Sequence, residues 1–185
     1  MTVKRRRDTR TPRVMMHRVA DIRGGVSVDV SELGAGILLE GTPLSAPVDG
    51  ICHVVKTGTL FAAAAAADKT VKVAKGSLFK AGDAILATEG GAAVKIVSVD
   101  TSSQDSDTFT LSAAIGALEK GAGFAEAKAA GDKGELKYVP LAIAGTTKPV
   151  DPTDNMDMDA WLIGVTKGNA LPDFVAKHLP GIINY

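Results

Sequence analysis

The chain has 185 residues and a mass of 19.0 kDa, the size of one domain with at most short appendages. Hydrophobic residues at 45% exclude a wholly disordered chain, and aromatics at 4% disfavour a base-stacking reader of single-stranded nucleic acid. A single cysteine, Cys52, excludes a disulfide scaffold and a thiolate zinc site.

The net charge is zero but unevenly placed. Residues 1–23 hold eight basic groups against Asp8 and Asp21, a net of +6, so the remaining 162 residues carry −6. A basic arm on an acidic body is the strongest asymmetry in the sequence. Met1 to Val19 has no apolar periodicity and reads as extended or disordered by itself, and residues 1–23 are expected to form an extended basic arm. No apolar stretch of about 7–15 residues follows the charges, as a secretion signal would require. The longest apolar run, Leu60 to Ala67, is far short of the about 20 residues a spanning helix needs. A soluble protein made in a cytosol is expected, with no membrane partner.

From Gly24 the texture changes. Val26, Val28 and Val30 alternate with Ser27, Asp29 and Ser31, the period-2 signature of a strand. Ile37-Leu38-Leu39 is a short buried strand stopped by Glu40-Gly41-Thr42-Pro43, and Ile51 to Val55 is another, after a turn cluster ending at Gly50. Leu60 to Ala66 fits helix or strand. Thr70-Val71-Lys72-Val73 alternates cleanly. Ala81-Gly82-Asp83 is a tight turn before Ala84 to Ala87, and Glu89-Gly90-Gly91 turns the chain into Ala93 to Val99. The Ser/Asp loop Asp100 to Asp107 leads to a returning strand, Thr108 to Leu111.

Short strands separated by glycine or aspartate turns predict a mainly β fold, a small barrel or sandwich, over residues 24–127. Residues 128–185 are expected as a C-terminal segment of strands, with one short helix beginning at Pro172. In it, Leu136 to Val139, Leu141 to Ala144 and Trp161 to Val165 read as strands. The apolar C-terminus, Ile182-Ile183-Asn184-Tyr185, is of the kind that packs against something.

Little in the sequence supports chemistry. Asp151, Asp154, Asp157 and Asp159 invite a calcium reading but lack the ordered ligand spacing, and a solvated acidic loop is favoured. His17, His53 and His178 lie far apart with no metal-ligand spacing. Cys52 and His53 are neighbours on a strand and point to opposite faces, so they make no dyad. No enzyme, cofactor or metal is expected.

Three blocks carry a family resemblance. They are Leu39 to Pro43 with Gly50 to Thr57; Thr70 to Asp83; and Ile96 to Ser103 with Asp107 to Leu111. Their succession is similar to the head fiber or auxiliary capsid proteins of tailed bacteriophages, especially those of Bacteroidetes and their prophages. The ending, Gly164 to Lys167, Ala170-Leu171-Pro172 and Leu179 to Ile183, resembles that family's C-terminal tail. The long basic arm departs from the pattern.

The resemblance implies a virion structural protein, trimeric, bound to the capsid exterior and partnered by the major capsid protein or other head proteins. Arg5, Arg6, Arg7, Arg10 and Arg13 are the expected docking residues on an acidic capsid surface. Trp161, Leu162, Phe174, Leu179, Ile182 and Ile183 are candidates for packing between subunits, with intramolecular core as the competing reading. The alternative function is a small nucleic-acid-associated protein using the arm on phosphates. It is disfavoured because the arm lacks interleaved aromatics and the acidic body repels DNA.

Overall fold

A computed structural model describes residues 14–34, 36–151 and 153–185. The described residues are mainly β, with 45% strand. No helix of the described residues is long and apolar enough to cross a membrane.

The first five strands are β1 (Met15–Asp21), β2 (Val26–Asp29), β3 (Ile37–Leu38), β4 (Pro43–Ser45) and β5 (Ile51–His53). The next six form a contiguous unit: β6 (Thr57–Thr59), β7 (Thr70–Ala74), β8 (Ala84–Leu86), β9 (Ala93–Asp100), β10 (Ser106–Leu111) and β11 (Gly123–Ala127). The chain then returns through β12 (Pro140–Ala144), β13 (Lys148–Pro149), β14 (Met156–Met158) and β15 (Ala160–Thr166). It ends in α1 (Asp173–Ala176), a single turn after Pro172, and β16 (Ile182–Asn184).

The two chain ends interleave. One sheet runs β1-β15-β12-β4 with β16 parallel to β15, a second runs β14-β2-β5, and β13 pairs with β3. Every strand after Ala127 thus adds to a sheet with strands that precede or flank it in this framework. Strands β6–β11, residues 57–127, form a sheet of their own, while the strands before and after them pair with one another. The basic segment also enters the framework: Met15–Asp21 pairs antiparallel with β15, Met15 opposite Thr166 and Asp21 opposite Trp161.

The inserted sheet runs β6-β11-β8-β9-β10-β7. Its edge strands meet at one bridge, Leu60 opposite Val73, and no sheet of the described residues closes into a barrel. The alternation read at Thr70 to Val73 is realised in β7, where Val71 and Val73 are buried and Thr70 and Lys72 exposed. Leu60 to Ala66 is neither helix nor strand. Its bridges at Leu60 and Ala64 suffice to hold an irregular run over the core. Leu136 to Val139 likewise makes only one bridge, at Leu136.

Burial explains the stability of each half. The inserted unit centres on Phe79, Phe109 and Phe124, with ring centroids 5.4–6.2 Å apart in tilted or edge-on contact. Fully burying each ring stabilises by about 1.5–3 kcal/mol. Gly58 permits this, because a Cβ there would come within 2.6 Å of the Phe124 ring. The framework core gathers Val28, Val30, Leu38, Leu44, Cys52, Val54 and Met158. A third cluster, Val55, Leu86, Ala125, Ala127, Leu136 and Val175, joins residues from both.

Candidate functional site

Charge is buried where the framework passes into the inserted unit. Lys56 follows the apolar run Ile51 to Val55 and precedes β6, and its side chain is 1% exposed. Its Nζ lies 2.6 Å from Asp83 Oδ2 and 3.2 Å from Glu126 Oε1, whose side chains are 8% and 3% exposed. Three adjacent strands set this geometry. The Glu126 amide donates to the Lys56 carbonyl at 2.9 Å, on the β6 side of β11. On the other side of β11, Glu126 is opposite Ile85 of β8, and Asp83 immediately precedes β8. The Lys80–Asp83 turn orients Asp83, since the Lys80 amide donates to Oδ2 at 2.9 Å. Gly82 makes that turn with φ of 101°, a left-handed conformation that suits glycine. Phe79 walls the site, its ring centroid 5.9 Å from Lys56 Nζ.

From this cluster, alternating charges lead outward. Lys137 Nζ bonds Glu126 Oε1 at 3.0 Å and lies 3.2 Å from Glu32 Oε2. Tyr138 donates its hydroxyl to the Glu32 carboxylate at 2.8–2.9 Å. Its ring stacks on His53, centroids 4.3 Å apart. Burial pushes the Glu126 carboxyl above its ordinary range, and the nearby ammonium groups only partly oppose it. Burial would lower Lys137, but Glu126 and Glu32 outweigh it and hold the ammonium above its usual range. Burial also raises Glu32, yet the bonds from Tyr138 and Lys137 prevail and lower it. The Tyr138 phenol is pushed up to about 12, by burial first and the Glu32 carboxylate second. Glu126 Oε2 is buried without a hydrogen-bond partner. A cavity of about 260 Å³ borders Asp83 and Glu126 and is also lined by Lys95, Lys128 and Lys137.

The residues singled out in the sequence lie elsewhere. Arg5, Arg6, Arg7, Arg10 and Arg13 are outside the described residues. Leu179 is buried with Met15 and Ile143, and Trp161 and Ile182 pack on that cluster. Leu162 packs on the framework core and Phe174 on the junction cluster. Ile183 is the one of the six that is exposed, at 64%. Exposed with it on or beside β1, β15 and β16 are Met16, Val19, Ile163 and Tyr185. Arg18 is anchored: its guanidinium sits 5.1 Å from the Trp161 ring centroid and donates to the Gly145 carbonyl. In the acidic loop, Asp151 accepts from the amide and hydroxyl of Thr153, ordinary turn chemistry. No cluster of metal-ligating side chains occurs among the described residues.

Sequence reading missed the Lys56 cluster. The available signal was a charge adjoining or interrupting an apolar run, Lys56 after Val55 and Glu126 between Ala125 and Ala127. Nothing in the spacing pairs them. No family model, curated protein or solved structure matches the chain.

Proposed function

We propose that this chain is a virion structural protein that decorates the exterior of a tailed-phage capsid, as a head fiber or auxiliary capsid protein. It docks through its basic N-terminal segment on acidic groups of the major capsid protein or another head protein. The observation that carries this reading is strand β1. The segment containing Arg5, Arg6, Arg7, Arg10 and Arg13 runs directly into an edge strand laid along β15 over Met15–Asp21. The first described strand, β1, is held in the sheet immediately after that segment in the sequence. The opposed charges of segment and body support the same division of labour, because an acidic body adds nothing to phosphate binding. Self-association, as a trimer in the family resembled, would use the exposed apolar side chains Met16 and Val19 of β1, Ile163 of β15 and Ile183 of β16.

Co-sedimentation with heads lacking this protein tests the reading. Deletion of residues 2–13 spares β1, whereas a longer cut through residue 18 would remove half of that strand. The full chain is expected to bind, and the truncated chain to lose most binding, most visibly at low salt. Equal binding by both would overturn the docking role. Capture of DNA by residues 1–13 with a steep salt slope, and no binding to heads, would establish the nucleic-acid reading instead.

A further inference from the structure

Docking makes no use of the Lys56 cluster, and as a stabilising device the cluster is a poor one. Desolvation offsets much of the Coulomb gain of a buried ion pair, and apolar side chains of similar volume would hold the three strands equally well. The placement is instead that of reactants. An amine is held against one carboxyl at 2.6 Å, with a second carboxyl at 3.2 Å from the same nitrogen, all behind an aromatic wall.

We propose that Lys56 and Asp83 become joined by an intramolecular isopeptide bond, an amide between Lys56 Nζ and Asp83 Cγ, formed with Glu126 as catalytic acid and base. The step balances without an oxidant, reductant or co-reactant. One proton passes across the 2.6 Å contact, giving a neutral amine and a neutral carboxylic acid. The nitrogen lone pair adds to Cγ and the carbonyl π pair moves onto oxygen. Glu126 delivers a proton to the hydroxyl oxygen bound to Cγ and takes one from nitrogen, so it ends in the protonation state in which it began. The carbonyl re-forms as the C–O bond breaks. One N–C bond has formed, one C–O bond has broken, and one water leaves.

Each condition for this reaction has a counterpart in the structure. Held in contact, the two groups react as an intramolecular pair, for which effective molarities reach about 10⁵–10⁸ M. Burial raises the Glu126 carboxyl above its ordinary range, which makes it a better proton acceptor from the amine than an exposed carboxylate. Its second oxygen, Oε2, has no partner and is free to carry the proton. Condensation is favoured where water is scarce, and the cavity beside Asp83 and Glu126 gives the released water a way out. The bond would span the strand order β6-β11-β8, tying the start of the first to the start of the third across the strand that bears Glu126. It is independent of where the chain docks.

Mass spectrometry of the denatured full-length protein tests this directly. The expected mass is one water below that of the sequence, after allowance for the initiator methionine. Trypsin should release a branched peptide joining the segments that contain Lys56 and Asp83, uncut after Lys56. Lys56→Arg and Asp83→Ala should each restore the sequence mass, and Glu126→Gln should restore it with Lys56 and Asp83 both present. A wild-type mass equal to that of the sequence, after prolonged incubation folded at neutral pH, would overturn the proposal. Water loss persisting in Lys56→Arg would place it elsewhere and overturn it too. A bond that forms unimpeded in Glu126→Gln would remove the catalytic role of Glu126.

Discussion

Replacing Lys56 by methionine keeps the volume of the side chain and removes the cation that Asp83 and Glu126 both contact. At an effective dielectric of about 20, unit charges 2.6 Å apart attract by about 6 kcal/mol, much of which desolvation offsets in the intact cluster. Breaking a buried pair from one side leaves that desolvation uncompensated, at a cost of about 3–5 kcal/mol. Where Lys56 and Asp83 have already joined as an amide, no ion pair is left to break, and the variant loses instead a constraint on the unfolded chain worth about 3–4 kcal/mol for a sequence separation of 27. In either state Lys56→Met should lose at least about 3 kcal/mol at pH 7. Urea unfolding should show a lower midpoint, and a steeper slope where the parent carries the amide, because losing a cross-link expands the unfolded chain. The deficit should also depend on pH. Glu126 is raised above its ordinary value of 4.5 by burial, so its contribution is fullest below 4.5 and is lost as pH rises through the higher folded value. The methionine variant should therefore regain stability as the pH falls. A variant within about 1 kcal/mol of the parent at pH 7 would refute the reasoning, because a tightly buried pair cannot be broken at so small a cost.

Three further outcomes follow from the same geometry. Phe124→Ala empties the aromatic centre of the inserted unit and should cost about 3–5 kcal/mol in urea unfolding; a loss under about 1 kcal/mol would mean that the three rings do not form one core. Ultraviolet titration should place the Tyr138 phenol at about 12, and Glu32→Gln should move it toward the ordinary 10.0. The stability it confers is present below pH 10.0 and lost as pH rises through about 12, so an unmoved titration in the variant would exclude the Glu32 contact. Ile183→Lys should leave folding stability within about 0.5 kcal/mol while reducing any self-association measured by light scattering. An unchanged oligomer would place the subunit contact elsewhere.

The sequence carried the strands whose evidence is local. Thr70 to Val73, Ala93 to Val99 and Thr108 to Leu111 were legible because alternation and flanking turn residues lie within one segment, and they became β7, β9 and β10. What was not legible is pairing at a distance. Nothing in Met15 to Asp21 announces β15 as its partner, since the segment is charged and non-periodic, and its seven residues are mostly exposed at a sheet edge. The expectation of an extended basic arm over residues 1–23 arose from that absence of period. The interleaving of the two chain ends was hidden for the same reason, as β12 and β15 show apolar runs but no address. Leu60 to Ala66 was ambiguous because alanine has too little side chain to impose a period, and single bridges decided its path. Lys56 was masked by its neighbours: after Ile51 to Val55 a lysine reads as the solvated end of a strand, and only Asp83 and Glu126, brought from 27 and 70 residues away, make burial tolerable.

The central claim is that this protein sits on the outside of a phage head. Immunogold electron microscopy of purified intact virions, with antibody raised against residues 57–127, tests it most directly. The account predicts gold distributed over the capsid surface of unopened particles, and its loss from heads assembled without this chain. Label absent from intact heads, or appearing only after the capsids are opened and the DNA released, would contradict it.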